Sequence, residues 1–279
     1  MRPVAVAAPL VAAGAALVAW STWIEPRRLV VRHPTLELPG WPASLDGLRV
    51  ALVSDLHAGA PHVDEARVKH IAEVVAGEDA DLVCLLGDFI DWKVSFARPV
   101  TPEAVAAPLG AVRAPLGVLA VLGNHDWRTD GPRVAAALRD AGATVLENQS
   151  VLLGDGARRL WVAGVEDPST RTPDVAAAVG AVPDGEPLIV LSHDPDLFPA
   201  IPASAALTLS GHTHGGQINL PALHRHVIPS IFGDRYARGH IVEHGRHLFV
   251  TSGVGTSSHP VRLGRPPEIV VLTLRSNGL

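Results

Sequence analysis

Five short apolar runs, at 48–53, 81–86, 117–122, 187–191 and 206–209, are each followed at once by Asp, His or Asn. The runs are four to six residues long and rich in Val, Ile and Leu, the pattern of strands buried on both faces. The polar clusters that follow are Ser54-Asp55-Leu56-His57, Gly87-Asp88-Phe89-Ile90-Asp91, Gly123-Asn124-His125-Asp126, Ser192-His193-Asp194-Pro195 and Ser210-Gly211-His212-Thr213-His214-Gly215-Gly216-Gln217. Helical spacing over 64–77, with Val68, Ile71, Val74 and Val75 on one side, and again over 132–141 after an Asp130 cap, places helices between some of the strands. Strand alternating with helix predicts an α/β fold whose ligands gather beyond the carboxyl ends of the strands. A second group of runs, at 159–165, 240–242, 247–251 and 268–274, has the look of antiparallel strands, the last two flanking the turn Gly253-Val254-Gly255. Two sheets packed face to face with helices outside is the simplest assembly.

The clusters carry metal-ligand chemistry. Asp55 and His57, two residues apart on extended chain, point the same way and can meet one ion. Gly87 lets the backbone turn tightly and releases Asp88 at the sheet edge. His212 and His214 form the strongest single signal, two imidazoles at i and i+2 among glycines that permit close approach. Any one cluster has a plain alternative: Asp55 a helix cap, Asn124 a turn residue, His193 a structural histidine. Five successive strands delivering such side chains to one edge make independent accidents a poor account. Carboxylates, imidazoles and one amide, without thiolate, suit Mn, Fe or Zn, and seven ligands are too many for one ion and fit two that share a carboxylate.

The ordered set Asp55-x-His57, Gly87-Asp88-x-x-Asp91, Gly123-Asn124-His125-Asp126, His193 and Gly211-His212-x-His214 resembles the calcineurin-like metallophosphoesterase superfamily over residues 48–274. The apolar N-terminus, the Gly-Gly-Gln after the histidine pair and the Pro266-Pro267-Glu268-Ile269 ending are similar to its membrane-associated bacterial branch. The resemblance implies a four-layer α/β/β/α sandwich of two mixed sheets. It implies two divalent ions, with Asp55, His57 and His214 on the first, Asn124, His193 and His212 on the second, and Asp88 bridging. It makes His125 the catalytic histidine near the leaving group, Asp126 its orienting carboxylate, and Asp91 a supporting residue behind the ligands. The activity implied is hydrolysis of a phosphodiester, phosphomonoester or pyrophosphate by metal-activated water, and a membrane tether makes a lipid-linked or envelope substrate one option. Two alternatives stay open: a nucleotide phosphodiesterase, and a metal-containing envelope-binding protein without turnover.

The remainder of the chain sets the context. Residues 3–24 carry no charge and, with Trp20 and Trp23 near their end, predict a single-pass anchor over 1–25, a linker over 26–46 and one metallophosphoesterase domain over 47–279. A cleaved signal peptide is the rival reading. Arg27, Arg28 and Arg32 against Arg2 lean the catalytic domain to the cytoplasmic side, and an exported form is the alternative. A net charge of −5 and 4% aromatic residues disfavour nucleic acid as a partner. One cysteine, Cys84, allows no internal disulfide and reads as an inert core residue. His224, His226, His240, His244, His247 and His259 lack the strand-end register and read as solvated or hydrogen-bonding histidines. The 220–238 segment is either a lid or a surface excursion. Arg262 and Arg265 either meet a substrate phosphate or lie exposed, and Trp92 and Trp127 either wall the pocket or pack in the core.

Overall fold

The computed structural model describes residues 4–91, 98–220, 228–257 and 259–278. Helix α1 (Val4–Ala19) comes first, followed by a π turn at Trp20–Ile24 and a 3-10 turn at Glu25–Arg27. Strands β1 (Val30–Arg32), β2 (Thr35–Leu38) and β3 (Leu48–Val53) lead to α2 (Glu65–Ala76) and β4 (Leu82–Leu85). Then come α3 (Pro102–Leu109), β5 (Val118–Ala120), α4 (Asn124–Asp140), β6 (Thr144–Val145), β7 (Gln149–Leu153) and β8 (Leu160–Val165). The chain continues through α5 (Val175–Val179), β9 (Leu188–Ser192), β10 (Leu207–Ser210), β11 (Gly239–Glu243), β12 (Arg246–Val250) and β13 (Glu268–Ser276).

Two mixed sheets result. The first runs β1-β13-β3-β4-β5-β6, with β2 also on β13, and the second runs β11-β12-β10-β9-β8-β7. The five expected core strands are β3, β4, β5, β9 and β10, three in one sheet and two in the other. The period of two sorts their side chains. Val50, Leu52, Leu82, Cys84 and Leu119 meet Ile189, Leu191, Leu207 and Leu209 between the sheets, while Ala51, Val53, Val83, Leu85 and Ala120 face α2, α3 and α4. Helix α5 covers the outer face of the second sheet through Ala178. The layers are therefore helix, sheet, sheet, helix, and both sheets are filled on both faces.

The strands expected to be antiparallel divide. β13 is antiparallel to β3, β8 to β7 and β11 to β12, but β12 is parallel to β10 and β8 to β9. β12 and β13 also lie in different sheets, so the glycine segment between them carries the chain from one sheet to the other rather than closing a hairpin.

The N-terminal region differs from expectation. The α-helix stops at Ala19 after 16 residues, about 24 Å of rise. Among the described residues no helix is long and apolar enough to cross a membrane. Residues 26–46, expected as a linker, instead supply two strands and a 3-10 turn at Ala43–Leu45. Both strands pair in parallel with β13, and Leu36, Leu38, Trp41 and Leu45 are buried in the core between the sheets. Apolar side chains at alternate positions anchor this segment despite its prolines.

Candidate metal centre

The second helix after the core strands begins earlier than its periodicity suggested. Asn124, His125 and Asp126 form the first turn of α4, and the expected start near Pro132 is a kink at Asp130, whose carboxylate accepts from Arg133 N at 3.2 Å. The same strand-to-helix junction places Asn124 and His125 beside the ends of β3 and β4. Five of the expected ligands, Asp55, His57, Asp88, His212 and His214, have positive φ, between 47° and 66°. Side chains rarely adopt this region, and such strain persists only where the surroundings over-determine it.

Three overlapping triads emerge. Candidate ligand atoms of Asp55, His57 and His214 lie within 4.8 Å of one another, and so do those of Asp88, His193 and His212 and, linking the two sets, those of His57, Asp88 and His125. His57 Nε2 lies 3.0 Å from His214 Nε2 and 3.5 Å from Asp88 Oδ2, while His193 Nε2 is 3.3 Å from that same oxygen. His212 Nδ1 is 3.2 Å from His193 Nε2. Asp88 thus stands between the two outer triads. Asn124 Oδ1 is buried and has no hydrogen-bond partner, an orphaned acceptor at the position expected to hold an ion. This donor set fits divalent metal: hard oxygens, neutral-capable imidazoles and facing nitrogens that a shared cation would satisfy.

The surroundings fix these side chains. His193 Nδ1 meets Leu86 O at 2.7 Å, which orients Nε2 toward Asp88. His212 N donates to both oxygens of Asp55 at 3.1 Å. At Gly87, with φ 93°, a Cβ would lie 2.6 Å from Gly123 N and 2.7 Å from His193 Nδ1. At Gly253, with φ 67°, it would lie 2.6 Å from Asp55 Cβ.

The electrostatics favour positive charge beside Asp88. Burial opposes its ionisation, but the charge and hydrogen bond of His193, then His57 and His125, hold its carboxyl well below the usual range. Burial draws His193 down, yet Asp88 carries it well above the ordinary histidine value. Burial, His57 and Arg262 push His214 well below that value, keeping it in the neutral form that ligates metal.

His125 and Asp126 depart from the pairing expected of them. Asp126 accepts from the backbone N–H groups of Gly123, Asp88 and Phe89 at 2.8–2.9 Å and of Ile90 at 3.3 Å. Burial and the Asp88 charge push it up to about 7, against those donors. It therefore ties the β4 turn to the start of α4. The carboxylate facing His125 is Asp91, whose Oδ1 lies 3.3 Å from His125 Nδ1 and whose Oδ2 lies 3.4 Å from His57 Nδ1. The reason is geometric: Asp126, at the third helical position, turns back on the helix N-terminus.

Arg262, expected to meet phosphate or lie exposed, does neither. It is fully buried behind His214, with Nη2 3.5 Å from His214 Nδ1 and bonds to the carbonyls of Ser252, Gly253, Gly255 and Arg265. Burial lowers its pKa to about 10. Arg265 bonds Gly215 O and Asn219 Oδ1. Trp127 packs against the helix-side core, with Arg171 stacked 4.4 Å over its ring. Cys84 is buried and its thiol is pushed up by desolvation. His240 and His247 stack with nitrogens 2.9 Å apart, and His259 is exposed. Trp92, His224 and His226 lie outside the described residues. Of the 220–238 segment, the described end is packed down by buried Tyr236, which contacts Phe198 and bonds Glu243. Sequence reading missed Asp194, whose Oδ2 is 3.9 Å from His212 Nε2. Its adjacency to His193 was the available signal.

Fold and site together are those of a metal-dependent phosphoric ester hydrolase, and comparison with known proteins agrees. Residues 48–243 match the family model for calcineurin-like phosphoesterase, and the chain belongs to that family. It is 30% identical to the uncharacterised metallophosphoesterase YkuE of Bacillus subtilis, over 92% of this chain and 89% of that protein. It is 30% identical to a transmembrane protein with metallophosphoesterase domain from Danio rerio, over 90% of this chain and 57% of the relative. It is 27% identical to the UDP-2,3-diacylglucosamine pyrophosphatase LpxG of Chlamydia trachomatis, over 91% of each.

Proposed function

We propose that this chain hydrolyses a phosphodiester or pyrophosphate bond in a membrane-held substrate, using two divalent ions. The observation that carries the reading is the three overlapping triads linked through His57 and Asp88, with the unpartnered Asn124 Oδ1 among the expected ligands. Asp55, His57 and His214 would hold one ion, and Asn124, His193 and His212 the other, with Asp88 between. When bound, the ions would polarise phosphoryl oxygens and acidify water to supply the nucleophile.

The chain's own residues handle orientation and the proton. Asp91 Oδ1 is hydrogen-bonded to Nδ1 of His125, which orients that ring and leaves its Nε2 to deliver a proton to the departing oxygen, while Asp91 Oδ2 lies 3.4 Å from His57 Nδ1 with no hydrogen bond between those two atoms. Asp91 and Asp88 raise His125, against burial, so its imidazolium persists to higher pH. Asp126 holds the turn carrying Asp88 against the start of α4. Arg262 braces the back of His214.

Membrane residence is supported by Leu10, Val11, Leu17, Val18, Trp20, Trp23 and Ile24, all exposed along α1 and the π turn, and by the name of the Danio rerio relative. The LpxG name supports a lipid-linked pyrophosphate among substrates of this type.

The test is hydrolysis of bis-p-nitrophenyl phosphate beside p-nitrophenyl phosphate by the full chain in detergent, stripped and reloaded with Mn, Fe or Zn. Metal-dependent diester turnover that Asp88→Asn abolishes is the expected result. Stoichiometric metal binding without turnover of either compound would return the reading to a binding protein.

A further inference from the structure

Beside the metal centre is a cavity of about 600 Å³ whose lining includes Arg27, Gly59, His62, Asp64, Arg67 and Arg98. Gly59 is two residues beyond His57, so their Cα atoms lie within about 8 Å. The cavity floor is a continuation of the turn that carries two expected metal ligands, and Arg98 N donates to Gly59 O at 2.9 Å.

The lining is cationic. Among the described residues none of its three guanidiniums forms an ion pair with a carboxylate. Arg67 Nη2 bonds the carbonyl of Arg27 at 3.1 Å, which draws the two arginines together. The one carboxylate, Asp64, has an oxygen accepting from Arg67 N at the start of α2. Burial draws Arg67 down, the Asp64 charge partly opposing it and the Arg27 charge adding to it, and burial and the Arg27 charge draw His62 down. Three arginines and a helix N-terminus around one space are suited to a phosphate, which accepts several such donors at once.

One wall of the cavity is continuous with apolar surface. Arg27 lies 4.5 Å over the ring of Trp23, and Trp23 stands edge-on to His62 with centroids 6.3 Å apart. Trp23 is 64% exposed and closes the apolar stretch of α1 and the π turn. A ligand seated among the arginines would find apolar surface alongside. This is the environment of an amphiphile at a bilayer interface.

We propose that this cavity binds the phosphate headgroup of an anionic membrane lipid, docking the metal centre against the bilayer surface. The proposal rests on the membrane residence argued above, and it is independent of turnover.

The experiment is flotation of the full chain with vesicles of phosphatidylcholine, alone or mixed with phosphatidylglycerol, at about 0.1 M salt, where charges are screened beyond about 10 Å. Arg67→Gln and Arg98→Gln each lower binding to the anionic vesicles about fivefold and leave neutral vesicles unaffected, the worth of one basic side chain near such a surface. Arg98 is exposed, so its substitution leaves the fold intact. Lys69→Gln removes an exposed charge of α2 outside the lining and stays within about twofold of wild type. Equal losses for Lys69→Gln and the two arginine variants would overturn the proposal, reducing the effect to general charge. Protection of the arginines from phenylglyoxal by inorganic phosphate but not by anionic vesicles would also overturn it, assigning the cavity to a soluble phosphate. Wild-type diester turnover without arginine-dependent flotation removes the cavity's role and leaves the hydrolase. Arginine-dependent flotation without turnover does the reverse.

Discussion

Replacing Asp91 by Asn keeps its shape and removes its charge. Asp91 Oδ1 faces His125 Nδ1 at 3.3 Å and Oδ2 faces His57 Nδ1 at 3.4 Å, so both imidazoles lose a charged partner. A hydrogen bond to a charged group contributes about 1.5–3 kcal/mol and a neutral one about 0.5–1.5 kcal/mol. The difference, roughly 1–1.5 kcal/mol, corresponds to about one pKa unit at His125. The sign follows from the direction of the native shift. Asp91 and Asp88 raise His125 against burial, so a step needing its protonated form is supported at low pH and lost as pH rises through that pKa. In Asp91→Asn the loss begins about one unit lower, and turnover above the native pKa falls about tenfold. The assay compares kcat against pH for two diesters, one with a p-nitrophenyl and one with an alkyl leaving group. Saturating metal is needed, because loss of the His57 partner weakens ion binding by about 10–100-fold. The alkyl ester is expected to show the displaced basic limb and the activated ester little change. Equal displacement for both esters, or none for the alkyl ester, would refute the assignment of His125 as proton donor oriented by Asp91.

Other consequences are as specific. Gly253→Ala sets a Cβ 2.6 Å from Asp55 Cβ at a left-handed backbone position, and is expected to lose the ion held by Asp55, His57 and His214; unchanged metal stoichiometry by atomic absorption counts against this. Arg262→Met leaves buried carbonyls of Ser252, Gly253 and Gly255 without their donor, at about 1–3 kcal/mol for each unsatisfied group, and a thermal melt within a degree of wild type would contradict the bracing role. Chelation is expected to lower the melting temperature reversibly, since a ligand at 100 times its Kd stabilises by about 2.7 kcal/mol. Asp88→Asn should bring bound metal below two ions per chain, and retention of two would remove Asp88 from between them.

The strands and the ligands they carry were legible because both follow from local pattern. The five core runs match β3, β4, β5, β9 and β10 to within two residues at each end, since strands buried on both faces leave an unbroken apolar signature. Pairing was less so. Whether β12 lies parallel or antiparallel to a neighbour depends on contacts far along the chain. β1 and β2 were hidden because three and four residues at a sheet edge, set among prolines, present too little periodicity. The partner of His125 was hidden for another reason. Adjacency in sequence favoured Asp126, whereas the helical first turn points that carboxylate at backbone N–H groups and the folded β4 turn brings Asp91 to the ring. Arg262 could not be placed from composition, because nothing local distinguishes a buried arginine bound to carbonyls from an exposed one.

The N-terminal stretch and the metal centre share a mechanical frame. Arg262 N donates to Ser21 O at 2.9 Å, Arg265 N to Glu25 Oε1 at 2.8 Å, and Val30 N to Pro267 O at 2.9 Å. The route from the foot of α1 to the chain behind His214 thus contains no slack: α1 is a mast bolted to the hull, not a mooring line. On the membrane residence proposed above, a catalytic mouth mounted this way would sit at a height over the lipid set by these bonds. Depth in the interface would then select substrate alongside chemistry. It also means that trimming the chain at residue 30 would remove bolts from the active site, not merely a handle.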